Sequence, residues 1–367
     1  MDRHIPIVIS EGEPFTRGKQ LGESEAGRVK QSVTAYMALF RQRAGLTYGE
    51  VLVQAERFMH SIAAYAPHLL AEMRGISEGA NCDLREIVAI NARTELMYGL
   101  KQTSECTAVG VSPAASSDGH MRLAQNWDWH PALTGAIVLW VIRGENAIDL
   151  ITLTEAGIVG KIGVNAAGMA MCINLLTSDG DFKGPAVPMH VILRRVLEEA
   201  RSVEEAITII AAAERCTSCN HLLADGSGSL ADVEATPLGQ RVLYPTNGVL
   251  AHTNHCISAD LFVHDSKARE DPETLVRGER AQLLVSAQPI DEKYLHIVLS
   301  DHATAPGSIC LHNSPELPFD EQGESIASIV FDLTDGTLDI ADGPPCQYPY
   351  RRLMLNDYLR HYIPKKH

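Results

Sequence analysis

Ser104-Glu105-Cys106-Thr107-Ala108-Val109 and, further on, Gln125-Asn126-Trp127-Asp128-Trp129 are the two stretches on which the fold turns. The residues between them read as a hairpin: an apolar run from Ala108 to Val111, a turn-rich stretch from Ser112 to Gly119, and a second run from Met121 to Ala124. A hairpin returns its second strand to the start of its first, so Cys106 and Asp128 are expected to face each other at one end. A cysteine that opens a strand beside a carboxylate suggests a chain cut between Glu105 and Cys106. The freed α-amino group, with an ordinary pKa of about 7.7–8.0, would then be the base for a thiol whose ordinary pKa is about 8.5. It hangs from the same Cα as the thiol, so its placement needs no separate ordering, and Asp128 would hold its ammonium form. A buried core cysteine fits the same hairpin, since free cysteines are commonly buried.

Composition bounds the rest. At 367 residues and 40.0 kDa the chain is long for one domain, yet a layered α/β sandwich reaches this size. With 45% apolar and 21% charged residues it can build a sizeable core. A net charge of −15 and a pI near 5.4 argue against nucleic acid or an anionic membrane as partner. The opening Met1-Asp2-Arg3-His4-Ile5-Pro6 lacks the apolar core of a signal peptide, and the longest apolar stretch, Ala132 to Ile142, is too short to span a bilayer. Eight cysteines without a small-domain framework read as reduced thiols, and a cytoplasmic location is expected.

The first hundred residues read as helical. Thr16 to Arg43 has helical spacing, with Leu21, Val29, Val33, Tyr36, Met37 and Phe40 as candidate core positions. Further helices are expected over Tyr48–Tyr65, Pro67–Glu78 and Leu84–Leu100, the last capped by Asp83 with Glu86 completing a capping box. From Cys106 the texture changes to short strands: 106–111, 120–127, 136–143, 147–154, 158–163 and 169–175. Helices follow over Val187–Ala200 and Val203–Glu214, the second capped by Ser202. Strands return near 221–225, 229–235, 240–244 and 248–252. Helices over Pro272–Ser286 and Asp291–Leu299 precede a last hairpin, Ser325–Leu333 and Thr337–Ala341, turned by Asp335-Gly336. With no repeat or linker, the chain reads as one α+β domain over 1–367.

A second cluster, His252-Thr253-Asn254-His255-Cys256, follows the strand Gly248–Ala251. Attack on an amide creates an oxyanion, and a neutral asparagine NH₂ suits the task of stabilising it. Asn254 is one candidate donor and Asn174, at the end of Met169–Ile173, another; both also suit turns that close strands. His252, His255 and Cys256 could instead ligate zinc, as could Cys216-Thr217-Ser218-Cys219 with His221, although a zinc framework often needs a second Cys-x-x-Cys. Gly157, Gly160 and Gly163 recur every third residue, which fails the Gly-x-Gly-x-x-Gly spacing of a nucleotide loop. A redox role for Cys216 and Cys219 would want a βαβ setting that is missing here. No cofactor is expected.

Taken in order along the chain, several segments carry a resemblance: Glu11-Gly12-Glu13-Pro14-Phe15-Thr16-Arg17-Gly18 through Gly22; Glu72-Met73-Arg74-Gly75-Ile76; Glu105-Cys106-Thr107; Gln125-Asn126-Trp127-Asp128; Thr154-Glu155-Ala156-Gly157-Ile158-Val159-Gly160-Lys161; Gly163-Val164-Asn165 with Gly168; Val187-Pro188; and His252-Thr253-Asn254-His255. The chain resembles the acyl-coenzyme A:6-aminopenicillanic acid acyltransferase family, a branch of the N-terminal-nucleophile hydrolases. The resemblance implies a four-layer αββα sandwich made as an inactive precursor and cut at Glu105–Cys106. A helical chain, 1–105, and a catalytic chain, 106–367, would then remain associated. It implies Cys106 as nucleophile, Asp128 beside its amine, Asn254 as oxyanion donor and, less directly, Asn174 as a second polar group. Two departures stand out. Some relatives carry an arginine in the strand opening the last hairpin, which here reads Glu324-Ser325-Ile326-Ala327-Ser328. Glu105 stands before the cut where the fungal penicillin enzyme has glycine.

The reaction class that follows is acyl transfer through a Cys106 thioester, with a small-molecule amide as the expected substrate and hydrolysis as the expected outcome. Penicillin-type acyl transfer from coenzyme A is the nearest alternative. A zinc hydrolase built on His252, His255 and Cys256, or an uncut binding protein, would be rivals of other classes. Trp127 and Trp129 are candidates for the pocket wall or for the core. A homo-oligomer is compatible with all of these.

Overall fold

The computed structural model describes residues 3–97, 106–145, 147–182, 184–287 and 289–362. The hairpin forms as expected: β2 (Thr107–Val111) runs antiparallel to β3 (Arg122–Trp129), with Thr107 opposite Asn126. It lies inside a six-stranded sheet ordered β11 (Val249–His252), β2, β3, β12 (Glu324–Asp332), β13 (Thr337–Ala341) and β14 (Arg351–Met354). The second sheet has eight strands, ordered β1 (Ile7–Glu11), β4 (Ile137–Arg143), β5 (Leu150–Glu155), β6 (Ile162–Asn165), β7 (Met169–Leu175), β8 (Cys219–Asp225), β9 (Leu230–Thr236) and β10 (Gly239–Leu243).

The sheets stack face to face, β2 and β3 of one against β7 and β8 of the other. Every residue of β3, β5, β7, β8, β9 and β12 is buried. A sheet covered on both faces has no wet side, so its strands read as runs rather than alternations. Gln125 of β3 crosses the gap: its amide oxygen accepts from Ile173 N at 2.9 Å and its NH₂ donates to Ile173 O. One side chain thus satisfies both backbone groups of a strand residue in the opposite sheet.

Helices cover both outer faces. Over the eight-stranded sheet lie α1 (Pro14–Ser24), α2 (Ala26–Ala44), α3 (Tyr48–Tyr65), α4 (Pro67–Ala80), α5 (Leu84–Asn91), α6 (Arg93–Leu96), α7 (Met189–Glu199) and α8 (Val203–Ala212), with α2, α7 and α8 touching strands directly. The short α9 (Ala259–Phe262) and α10 (Ser266–Glu270) lead into α11 (Glu273–Ser286) and α12 (Glu292–Leu299), which pack on β2, β3, β11 and β12. A short α13 (Leu355–Tyr358) follows β14. The architecture is a four-layer αββα sandwich. No helix among the described residues is long and apolar enough to cross a membrane.

The capping signals hold. Asp83 accepts from Arg85 N within a capping box with Glu86, and Ser202 accepts from Glu205 N. Three expectations need correction. The helix read over Thr16–Arg43 breaks at Glu25 (φ −120°, ψ 30°), because α1 is pinned to α4 and α2 leaves to run over the sheet. The helix read from Leu84 breaks at Ala92, and its last expected turn, 98–100, lies outside the described residues. The strand read at 158–163 begins only at Ile162, since Gly157 turns at φ +102° and Asn91 bonds Gly157 O and Val159 N. A strand in the helical region, β1, was not expected; it pairs parallel with β4, Ile7 opposite Leu139.

The α1–α4 contact explains two of the quoted segments. A Cβ on Gly18 would lie 2.0 Å from Glu72 O, and one on Gly75 2.0 Å from Phe15 O; Gly22 and Gly79 are similarly closed. Glycine at both ends of each four-residue step lets the two helices run backbone against backbone. Beneath them Glu72, fully buried, takes a forked pair from Arg194 (2.6 and 3.0 Å) and a bond from Arg17 Nε (2.9 Å). This ion cluster ties α1, α4 and α7 together.

Candidate active site

Cys106 lies just ahead of β2, 5% exposed, and its thiol donates to the backbone carbonyl of Asp128 at 3.7 Å. The two residues do share one end of the hairpin, but their side chains take opposite faces. Along β3, Gln125, Trp127 and Trp129 point between the sheets, whereas Asn126 bonds Leu299 O and Ile309 O on the helical side, both at 2.7 Å. Asp128 shares the face of Asn126. Its Oδ1 accepts from Ser325 Oγ at 2.6 Å, so the strand that carries an arginine in some relatives supplies a hydroxyl here. Glu105 lies outside the described residues.

The Cys106 carbonyl is held twice, by Asn174 Nδ2 at 2.9 Å and by Arg277 Nη1 at 2.8 Å. Asn174 also reaches His252 O at 3.3 Å and receives Asn220 Nδ2 at 3.4 Å. Arg277, fully buried on α11, also donates to Thr107 Oγ1 and to Asn254 Oδ1. Asn254 spends its NH₂ on Leu175 O at 3.0 Å. The structure therefore brings Cys106, Asn174 and Asn254 together, with Arg277 as the link between the first and last. The sequence reading missed Arg277; a lone arginine on a helix of mixed composition gave no signal.

Cys106 opens into a cavity between the sheets, of about 20 Å³, lined by Arg93, Gln125, Trp127, Trp129, Lys161 and Met189 among others. Both tryptophans therefore line this cavity while also belonging to the apolar core. Lys161 Nζ sits 3.8 Å from the centre of the Trp127 ring and 2.7 Å from Glu155 Oε2. Burial, helped by the Arg93 charge, pushes the Lys161 ammonium down to about 7 against the opposing pull of Glu155. Burial alone would raise Glu155, but Lys161 and Arg93 outweigh it and hold the carboxylate ionised. Tyr36 donates to Glu155 at 2.5 Å and receives Trp129 Nε1 at 3.0 Å. Arg93 lies over Trp129, 4.3 Å from the ring centre, and 3.8 Å from Glu155. Among the described residues its Nε and Nη1 have no hydrogen-bond partner, although the residue is 4% exposed. Two cations thus face one carboxylate beside the thiol, and part of a buried guanidinium is left unsatisfied. The sequence reading gave none of these four a role in the site: Tyr36 was read as core, Glu155 and Lys161 only as motif positions, and Arg93 gave no signal.

The histidine cluster is committed elsewhere. His252 Nε2 pairs with Glu234 at 3.1 Å; burial lowers its pKa, but Asp232 and Glu234 raise it further, favouring the protonated ring, a poor ligand. His255 Nδ1 bonds Thr253 Oγ1 at 3.0 Å, and Cys256 packs against Leu176 and Leu261. The zinc reading at His252, His255 and Cys256 finds no ligand grouping among the described residues. Burial pushes the Cys216 thiol up to about 12 and raises Cys219 as well, which disfavours thiolate chemistry at that pair.

A wider cleft of about 1040 Å³ lies elsewhere, lined by Arg17, His68, Asp149, Glu198 and Arg360. Several of its charges are paired, Arg17 with Glu72 and Glu198, and Arg360 with Asp149, and no cysteine lines it. Cys106 lines the smaller cavity.

The chain is similar to known proteins. The family model for acyl-coenzyme A:6-aminopenicillanic acid acyl-transferase matches residues 115–346. The 40 kDa form of acyl-coenzyme A:6-aminopenicillanic-acid-acyltransferase from Emericella nidulans is 27% identical over 344 residues, 92% of each chain. Among solved structures, a conjugated bile acid hydrolase from Clostridium perfringens is similar over 69% of this chain and 93% of its own, with 14% identity and a TM-score of 0.50. A penicillin V acylase from Agrobacterium tumefaciens covers 64% and 82%, with 17% identity and a TM-score of 0.45. On the N-terminal-nucleophile hydrolase fold, the chain belongs to the acyl-coenzyme A:6-aminopenicillanic acid acyl-transferase family of amide-bond enzymes.

Proposed function

We propose that the protein is a self-processing amidohydrolase that cuts its own chain between Glu105 and Cys106 and then works through a Cys106 thioester. The observation that carries this is the division of Cys106 and Asp128 across one strand end, thiol in front and carboxylate behind. A strand residue's backbone nitrogen lies between the two faces. An α-amino group freed at Cys106 would thus stand between the sulfur it deprotonates and the carboxylate that holds it.

The thiolate adds to the carbonyl carbon of a small amide, and the α-ammonium returns the proton to the departing amine. Water activated by the same amine then opens the thioester, releasing a carboxylic acid and restoring the thiol. An amine in place of water yields a new amide. The Emericella nidulans relative is named for that exchange, and a penicillin-type acyltransfer from coenzyme A is the second reading. The unsatisfied Arg93 and the Lys161 ammonium favour a substrate that carries a carboxylate. The cavity is too small for such a molecule as it stands, and a cut at its Cys106 wall removes a covalent tether there.

Intact mass under denaturing conditions tests the first step. Wild type should give two species, about 11 and about 29 kDa, in proportion to 105 and 262 of the 367 residues of a 40.0 kDa chain. Cys106→Ala should give one uncut species. A wild type that stays whole and inert would end this reading and leave a binding protein.

A further inference from the structure

We propose that His302, Cys310, His312 and Cys346 bind one zinc ion, a structural centre that braces the strand behind Asp128. His302, Cys310 and His312 come from the segment after α12, and Cys346 from the connection between β13 and β14. One ligand atom from each lies within 4.8 Å of all the others. The separations resemble the edges of a tetrahedron around a metal. A zinc with two sulfurs at 2.3 Å and two nitrogens near 2.05 Å would set S···S at about 3.8 Å, S···N at about 3.6 Å and N···N at about 3.3 Å. The chain has 3.6 Å between Cys310 Sγ and Cys346 Sγ, and 3.8 and 3.3 Å from those sulfurs to His312 Nε2. The two imidazole Nε2 atoms of His302 and His312 are 3.0 Å apart.

The donor set selects the metal. Two thiolates and two imidazoles suit zinc rather than magnesium or calcium, and four protein ligands leave no open position for a substrate or water, so the role is structural. Gln347 lies 3.5 Å from His312 Nδ1, where its amide can orient the ring by its free nitrogen. A disulfide would need the two sulfurs at about 2.05 Å, well inside their spacing here.

The site has a mechanical connection to the hairpin. Leu311, between two of the ligands, donates its N–H to Ser325 Oγ at 3.0 Å and accepts Ser325 N at 3.0 Å. Ser325 Oγ in turn donates to Asp128 Oδ1. Ile309 receives Asn126 Nδ2 one strand position away. A metal at Cys310 and His312 would fix the segment that positions Asn126 and Asp128 of β3. The sequence hid it because the ligands are scattered as a His, a Cys-x-His and a distant Cys, with no Cys-x-x-Cys among them.

Full-length protein without a histidine tag, desalted and analysed for metals, should carry one zinc per chain. His302→Ala and Cys346→Ser, both at exposed positions, should cut bound zinc by about tenfold or more, whereas His255→Ala should retain it. Circular dichroism should show the variants folded, and cobalt loaded into the metal-free protein should give thiolate charge-transfer and tetrahedral bands that Cys346→Ser loses. The proposal is overturned by wild type that takes up no zinc after stripping and reloading. It is equally overturned by zinc that follows His255, or by a mass two hydrogens light that maps to a Cys310–Cys346 bond.

Discussion

Lys161 carries its charge where water cannot support it, between Glu155 and the face of Trp127. With its pKa lowered to about 7, it is cationic below that pH and neutral above. If the ammonium holds a substrate carboxylate, KM for such an amide should rise as pH climbs through 7, and Lys161→Met should give a higher KM with that limb gone. The linkage has the same window. The folded pKa is depressed below the ordinary value of about 10.4, so the unfolded chain binds more protons between the two, and this group's contribution to stability grows as pH rises above 7. Ser325 offers a second test. Removing its hydrogen bond to the buried Asp128 carboxylate should cost about 1.5–3 kcal/mol of orientation, and Ser325→Ala should slow self-cleavage by about tenfold or more, read from a time course of precursor conversion. At this scale the sequence disclosed residues whose role is local. Cys106 and Asp128 were legible because a hairpin brings them together. Arg277 and Arg93 were not, because helices outside the hairpin deliver them.

Among the elements, the α1–α4 pair is where sequence and packing speak most directly. Gly18, Gly22 and Gly75 were quoted as motif positions, and their spacing, with Gly79 completing it, follows from backbone contact that any Cβ would block. Gly75→Ala should destabilise by about 1–3 kcal/mol through overpacking, whereas Gly27→Ala, on α2 with nothing within 4 Å of its Cβ, should gain about 0.4–1 kcal/mol. Urea denaturation of the two variants checks the difference in sign. Helix caps at Asp83 and Ser202 were legible for the same reason as the glycines: they act within one turn. The missed β1 shows the limit. Its five residues become a strand because β4 waits 130 positions on, and no local pattern in Ile7–Glu11 announces that partner.

For the molecule as a whole, the four layers are woven from both sides of the expected cut. Residues before Cys106 supply the edge strand β1, the Glu72 carboxylate that Arg194 grips, Tyr36 against Glu155, and Asn91 beneath Gly157. Broken covalently, the sandwich keeps all of these. The two fragments should therefore elute as one species in native gel filtration and part only in denaturant; separation under native conditions would contradict the packing described. Helices packed on antiparallel sheets were legible in the patterning, whereas the four-layer αββα order came from the family resemblance. How the helices divide between the two outer faces came only from contacts. One further consequence lies in who owns the cavity. Arg93, one of its two cations, precedes the expected cut, while Lys161, the other, and Cys106, the proposed nucleophile, follow it. Under the proposed function, part of the cavity's charge can thus be exchanged apart from Cys106: first fragments from different relatives, coexpressed and reassembled with this second fragment, should shift substrate preference while Cys106 and Lys161 stay in place.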